Sequence, residues 1–510
     1  MTTNEICILL SIIVYLLFIV GIGVYYSKRN DDVSDFYLGG RKLGPFVTAM
    51  SAEASDMSSW LLLGLPGVAY LSGTGEAAWT AIGLAIGTYL NWLFVARRIR
   101  EYSHQIDAIT IPDFFNKRYH DKKSILGAIA AVVIIIFFIP YTASGFAACG
   151  KLFSSLFGMD YITAMLISAL VIVIYTTLGG FLAASTSDFV QSIVMTIALV
   201  VVLVFGITKA GGLDEVMINA KSMTGYLSLT SVHDKISGES INYGFIAIVS
   251  TLAWGLGYFG MPHILLRFMA IEERDKLVTS RRVAITWVVI SLTLAIFIGI
   301  IGNAMSNSGA IDNLQGSASE TIIIQIATLL SHKSLFAAVI AGVILAGILA
   351  ATMSTSDSQL LAASSGVSQD LLKNFFHIEL SKKTSMVVAR STVVGISIVS
   401  ALFASNPDSS VFEIVSFAWA GFGACFGPVI LASLFWKRSN MQGAIAGMVT
   451  GGTMIFLWKY LVRPLGGAFD IYELLPAFIC ALIAIIVVSL ATPKPDESII
   501  KEFGDVEKVI

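Results

Sequence analysis

Charge is what this sequence has little of. Only 13% of its 510 residues are Asp, Glu, Lys or Arg, about half the share usual in a soluble domain. The 32 basic side chains are scattered between apolar blocks, so no basic patch is available to hold a nucleic acid. Cysteine is scarcer still: Cys7, Cys149, Cys425 and Cys480 sit in separate apolar segments. They lack the short paired spacings of a zinc site or a disulfide framework and read as buried packing residues. Catalytic signatures are missing as well. The chain has no HExxH, no nucleophile elbow, no Walker loop and no glycine-rich dinucleotide turn, which argues against an enzyme. His263, a lone histidine, reads as structural. A channel would display rings of charge or a repeated filter sequence, and neither is present.

What the chain has in abundance is apolar sequence. Hydrophobic residues make up 56% of it and the mean hydropathy is +0.81, which places it among all-α integral membrane proteins. With ~20 apolar residues needed to cross the hydrocarbon core, thirteen candidate helices are expected. The first seven lie near 5–27, 43–72, 75–96, 124–151, 160–179, 187–208 and 243–264. The other six lie near 283–306, 320–357, 385–405, 411–435, 442–463 and 472–491. The first block begins at Ile6 without a basic leader and is followed by Lys28 and Arg29, the wrong polarity for a cleaved signal peptide, so it is expected to stay as a span. The one long connection, 209–242, reads as a surface excursion. Most of the 32 basic residues fall in alternate connections, including "ARRIR" at 96–100 and "WKR" at 436–438. By the positive-inside rule the N-terminus is then outside and the tail 492–510 cytoplasmic, in the plasma or inner membrane.

Two apolar segments are interrupted in the same way. The second contains "MSSWLLLGLPG" (57–67) and the seventh "AWGLGYFGMPH" (253–263), each rich in Gly and ending in Pro. Gly and Pro there weaken the helical ladder and free backbone groups, which a membrane tolerates only where protein or a wet cavity satisfies them. Extra glycine can serve simple helix packing, as in "GAIAGMVTGG" (443–452). A matched pair five helices apart instead suggests two inverted halves whose broken first helices meet at the midplane. "SAEASDMSSW" (51–60) puts two carboxylates and four serines at the first break, where they would face ions and solute.

Several long stretches carry a resemblance to a known family. "DFYLGGRKLGPFVTAMSAEASDMSSWLLLGLPG", "TIPDFFNKR", "WGLGYFGMPHILLRFM", "ILAATMST" and "FAWAGFGACFGPVI" are similar to the sodium/solute symporter family, closest to its sodium/proline branch, over nearly the whole chain. The resemblance implies a LeuT-type core of two inverted five-helix repeats, 43–208 and 243–435. Around it would lie an extra N-terminal helix in 1–42, an extracellular loop at 209–242, two C-terminal helices in 436–491 and a cytoplasmic tail. The implied activity is sodium-driven symport of a small amino acid, with L-proline foremost, by alternating access. Sodium is the implied coupling ion, with no organic cofactor and no obligate protein partner. Another small amino acid or a carboxylate is the alternative substrate, and a channel or solute sensor ranks lower. The implied sodium ligands are the carbonyls of Ala54, Met57 and Ala351 and the hydroxyls of Ser354 and Thr355, a set of hard neutral oxygens suited to a releasable monovalent ion. The implied substrate site is lined by Ser58, Ser59, Trp60, Tyr141, Trp254, Tyr258 and Pro262. The rings would contact a pyrrolidine and a half-helix N-terminus would attract its carboxylate, with no basic side chain needed near either break.

The chain departs from the proline pattern in three places. Glu53 and Ser59 stand where glycines are expected, and Met261 replaces a glutamine before Pro262. A second cation or proton site is suggested by Asp188, Asp357 and Ser358, which match second-site ligands in some relatives, with Glu53 and Asp56. All four acids ionised around one sodium would leave about three uncompensated charges in a poorly polarisable site, so protonation or a second cation is expected. Asp56 has two readings, direct ligation or orientation of the broken helix. Glu53 has an alternative place in a wet vestibule, and Asp188 one at a helix start.

Overall fold

The computed structural model of the chain describes residues 2–27 and 33–509; Lys28 and Arg29, used above to argue against a cleaved signal peptide, and Ile510 of the tail fall outside them. Helices dominate throughout. The only strands among the described residues are the short antiparallel pair Ser231–His233 and Ser240–Asn242. With helix Leu213–Ser222 they turn the expected 209–242 excursion into a folded cap.

The expected count of thirteen spans is corrected by the helices themselves. Ten described helices are long and apolar enough to cross a membrane, and eleven if the bent pair Phe245–Gly260 and Pro262–Ala270 counts as one. The two that drop out have physical reasons. The segment near 43–72 divides into Pro45–Ser59, Trp60–Gly64 and Leu65–Ser72, and its first piece carries Glu53 and Asp56. Tyr161–Thr177 is apolar but short. The expected helix 320–357 is also two elements, Ile322–Ser331 and Leu335–Ser365, because Ser334 starts a new helix by accepting a hydrogen bond from the Ala337 N–H.

Both expected interruptions are present. In the first broken helix the ladder fails at Ser58, whose φ of 50° and ψ of −171° lie where a residue with a Cβ is strained. Its hydroxyl offsets part of that cost by accepting from the Trp60 N–H at 3.1 Å. The second broken helix tightens into a 3-10 stretch, Ala253–Gly260, turns extended at Met261 (φ −77°, ψ 108°) and restarts at Pro262 with a 46° bend. Pro262 suits that restart, since its missing N–H would have had no helical partner. Carbonyls freed in the 3-10 stretch find side-chain donors: Trp419 Nε1–H reaches Trp254 O at 2.7 Å, and Asn91 Nδ2–H reaches Tyr258 O at 3.0 Å.

Helix Leu335–Ser365 is the central post. It packs on Thr3–Ser27, Pro45–Ser59, Ile125–Phe157 and the kinked run Tyr161–Lys209, and every side chain from Ala341 to Ser365 except the half-buried Val343 is buried or absent. Helix Val411–Phe435 is a second post beside the 3-10 stretch. Glu320 secures its N-terminus, accepting from the Val411 and Phe412 N–H groups at 3.1 Å each while paired with buried Lys151 at 2.7 Å. Between helix Thr74–Leu90 and the second broken helix the backbones touch. A Cβ on Gly83 would lie 2.6 Å from Leu252 O, and one on Gly87 would collide with Gly255 O. The molecule's outer face carries large exposed apolar residues such as Leu17, Leu170, Val204, Phe336 and Leu402. Exposure on that scale marks a lipid-facing surface. Cys149 and Cys425 are buried as expected, whereas Cys7 and Cys480 are half-buried; all four are free thiols.

Candidate functional site

Four of the five expected sodium ligands converge between the first broken helix and the central post. Ser354 Oγ lies 2.9 Å from Ala54 O and 3.1 Å from Ala351 O, and Thr355 Oγ1 lies 3.1 Å from Ala351 O. The contact between Ser354 and Ala54 joins residues 300 apart in sequence. The fifth, the Met57 carbonyl, faces the Trp60 N–H across the break. Ala54, Met57, Ala351, Ser354 and Thr355 are all buried, and in a dry site carbonyls and hydroxyls have lone pairs to offer a cation.

Beside the break lies a narrow cavity lined by Asp56, Met57, Trp60, Leu84, Tyr141, Trp254, Val415 and Trp419. Of the expected substrate residues, Trp60, Tyr141 and Trp254 are in its wall. Tyr258 stands behind them, donating to Asp56 Oδ2 at 2.5 Å and packing edge-on against Trp419 at 5.1 Å. Tyr141 donates to the Asp56 carbonyl at 3.1 Å. Ser58 forms the break itself, Ser59 is buried with an unpartnered hydroxyl, and Pro262 starts the half-helix; none of these three lines the cavity. Trp60, Trp254 and Phe412 stack at centroid distances of 5.3 to 6.0 Å. Beyond Phe412 opens a larger vestibule of ≈ 580 Å³ with Glu76, Glu413, Lys459, Arg463 and Glu473 in its wall. The aromatic stack therefore separates a wide polar vestibule from the narrow inner cavity.

The four acids do not gather on one region. Asp188 Oδ2 accepts from Ser51 Oγ at 2.6 Å and from Arg267 at 3.1 Å. The same guanidinium reaches Ser51 Oγ at 3.0 Å, His263 O at 2.9 Å and Ser358 Oγ at 2.5 Å. Ser358 in turn lies 3.1 Å from Asp357 Oδ1 and 3.0 Å from Ser354 O, so this network abuts the expected sodium ligands. Arg267 and Ser358 also line a cavity that continues past Tyr37, Thr110 and Ser365. Glu53 instead turns to helix Thr74–Leu90 and its π-helical continuation Asn91–Val95, where Oε1 accepts from Thr88 Oγ1 at 3.1 Å and Trp92 Nε1 at 2.7 Å. Glu53 is 1% exposed and Asp188 0%, so neither sits in a wet vestibule or at an exposed helix start.

Sequence reasoning missed Arg267. It is 1% exposed and five residues past Pro262. The expectation that no basic side chain lies near a break is thereby corrected. Also missed were Phe412, Val415 and Trp419, spaced along one helix face at three to four residues, and Thr88 and Trp92, an i, i+4 pair.

The chain is similar to known proteins in sequence and in fold. Residues 36–451 match the model of the sodium:solute symporter family. The chain is 40% identical over 504 residues to the osmoregulated proline transporter OpuE of Bacillus subtilis (strain 168), covering 99% of this chain and 98% of that protein. It is 41% identical over 501 residues to the sodium/proline symporter of Escherichia coli (strain K12), covering 98% and 96%. Among solved structures, a substrate-bound, outward-open Na+-coupled sialic acid symporter superposes with a TM-score of 0.77 at 17% identity, covering 96% of this chain and 99% of that one.

Proposed function

The chain belongs to the sodium:solute symporter family, and from that premise we propose that it imports a small amino acid, L-proline foremost, together with sodium by alternating access. As a family member it moves solute across the bilayer and does not transform it, and sodium is the family's coupling ion. The observation that carries the reading is the bridge from Ser354 to Ala54 with Thr355 and the Ala351 carbonyl beside it. A sodium ion there touches both the broken helix and the central post, so its arrival and departure change how the two are held together. Ala54, Met57, Ala351, Ser354 and Thr355 are the proposed sodium ligands. Asp188, Asp357 and Ser358 with Arg267 form an adjoining charged network, whose Arg267 and Ser358 line the separate cavity that continues past Tyr37, Thr110 and Ser365.

Substrate would sit against Trp60, Tyr141 and Trp254, with Trp419 and Val415 closing the far wall. Flat rings suit a pyrrolidine, and the half-helix beginning at Pro262 offers its positive end to a carboxylate. The halves 43–208 and 243–435 are proposed to be inverted LeuT-type repeats, each opening on a broken helix. Energetically one ion suffices: sodium entering down ~100 mV gains ~2.3 kcal/mol, and a tenfold gradient adds ~1.4, enough for about several hundredfold accumulation.

Uptake of radiolabelled proline into proteoliposomes, with an inward sodium gradient and a panel of unlabelled competitors, tests this. Sodium-driven uptake blocked by proline is expected. Uptake that ignores sodium, or counterflow only with a different solute, would reject proline symport. The proposed orientation, N-terminus outside and tail inside, has its own check. In a cysteine-free background, Ser237→Cys in the folded cap should label with an impermeant maleimide on intact cells, and Lys501→Cys in the tail helix only after permeabilisation. The reverse pattern would invert the topology.

A further inference from the structure

The C-terminal tail is docked, and one face of it is specific. Helix Glu497–Val509 buries Ile499, Phe503 and Val506, which recur at i, i+4 and i+7, and leaves Glu497, Lys501 and Lys508 exposed. It packs against helix Ala96–Gln105, where Phe503 meets Tyr102 edge-on at 6.4 Å and Gln105 Nε2 donates to Glu502 O at 3.4 Å. Just past the neighbouring helix Ile111–Arg118, His120 Nε2 lies 3.0 Å from Glu502 Oε1. Arg438 and Asn440 hold the linker to the tail, donating to Thr492 O and Pro493 O at 2.8 Å each.

Under Phe503 is a buried charge. Arg118 is fully buried, and its guanidinium carbon lies 5.0 to 5.3 Å from the ring centroids of Tyr102, Tyr119 and Phe503. Its Nε donates to Ser433 O at 2.9 Å, near the end of helix Val411–Phe435, while both terminal nitrogens are buried without a hydrogen-bond partner. Aromatic rings attract a cation most strongly where water is kept out, and unpaired donors regain partners once water enters. A caged and a hydrated guanidinium are therefore competing arrangements, and the tail supplies one of the three rings that favour the first.

The helix beneath the tail is also where the ends of both broken helices are tied. Ahead of the first, Arg41 donates to Ser103 O at 3.0 Å, Ala108 O at 2.6 Å and Met269 O at 2.7 Å. After the second, Ile271 O and Glu272 O accept from Arg100 at 2.8 and 3.2 Å, and a parallel bridge joins Leu43 to Ile271. The wide vestibule lies at the other end of helix Val411–Phe435, around Phe412 and Ser416, about 30 Å from Ser433.

We propose that helix Glu497–Val509 is a latch: docked on Tyr102 and Arg118, it braces the cluster of backbone contacts that shuts the face away from the vestibule, and it undocks when that face opens. The inference rests on alternating access and adds to it a control element outside the ion and substrate sites. Losing the tail removes a brace from the closed arrangement alone, so the population shifts toward opening.

Cysteine accessibility tests it. In a cysteine-free background, Ser365→Cys reports on that face, because Ser365 lines the cavity shared with Tyr37 and Thr110. This full-length parent chain, purified into nanodiscs, is treated with a hydrophilic maleimide, and its labelling rate is compared with that of a chain ending at Pro495 and of Phe503→Ala. Both should label about threefold faster or more. Phe503→Leu keeps apolar volume without the ring and should label like Phe503→Ala, whereas Phe503→Tyr should keep the parent rate. Rates unchanged by truncation and by Phe503→Ala overturn the latch, and a Phe503→Leu chain that labels like the parent overturns the part played by Arg118. If the truncated chain does not fold, the three Phe503 variants decide alone. Adding sodium and proline together should change the parent rate. A parent indifferent to both counts against the symport reading itself, whereas one that responds to them and ignores the tail rejects only the latch.

Discussion

Replacing Ser354 and Thr355 together by alanine should weaken sodium binding by about a hundredfold or more. In the proposed site each hydroxyl supplies one of about five oxygens, and an interaction with a charged group contributes about 1.5–3 kcal/mol, so losing two costs several kilocalories per mole. Single substitutions should each cost about tenfold or more. The double variant should fold, because Ala54, Ala351 and the hydroxyls chiefly satisfy one another and a residual carbonyl can pair with water. Sodium activation of uptake and direct sodium binding should move together, while substrate affinity at saturating sodium changes little. Unchanged sodium dependence in folded protein would remove this cradle from the mechanism.

Arg267→Gln should abolish transport to below about one hundredth of the wild-type rate and lower thermal stability. The guanidinium is buried with Asp188, and breaking a buried pair by removing one partner costs about 3–5 kcal/mol, since the remaining charge stays uncompensated. Lysine is not a conservative replacement. The fork of Arg267 reaches Ser51, Asp188, Ser358 and His263 O at once, which a single ammonium cannot reproduce. Adding Asp188→Asn to Arg267→Gln should recover most of the lost stability, a coupling that a double-mutant cycle reads directly. Additive losses would show that the two groups act separately.

Both broken helices were legible from Gly and Pro in the wrong company, because backbone conformation writes itself into those residue types. Ser354 and Thr355 were legible through resemblance; the structure brings Ser354 to Ala54, while Thr355 bonds back to Ala351 on its own helix. Arg267 was not. A lone arginine at the end of an apolar run ordinarily snorkels toward the interface, and only the fold brings Asp188, from 79 residues away, to hold it inside. The division of the acids was equally hidden. Ser51, Glu53 and Asp56 point to three different neighbours, Asp188, Trp92 and Tyr258, and each contact depends on a helix distant in sequence. The span count erred for the reverse reason: a hydropathy window cannot tell a membrane-length helix from three short pieces in line.

The bare glycine contact between helix Thr74–Leu90 and the second broken helix has a mechanical meaning. Side chains cushion most helix contacts, because they can change rotamer and absorb a small shift. Where Gly83 and Gly87 meet Leu252 and Gly255, backbone lies on backbone and nothing is there to yield. Such a joint transmits displacement stiffly, like a rod and not like a spring. Any displacement of the second broken helix would carry Thr88 and Trp92 with it, so that the two donors that hold Glu53 would travel together with Trp254 in the wall of the narrow cavity.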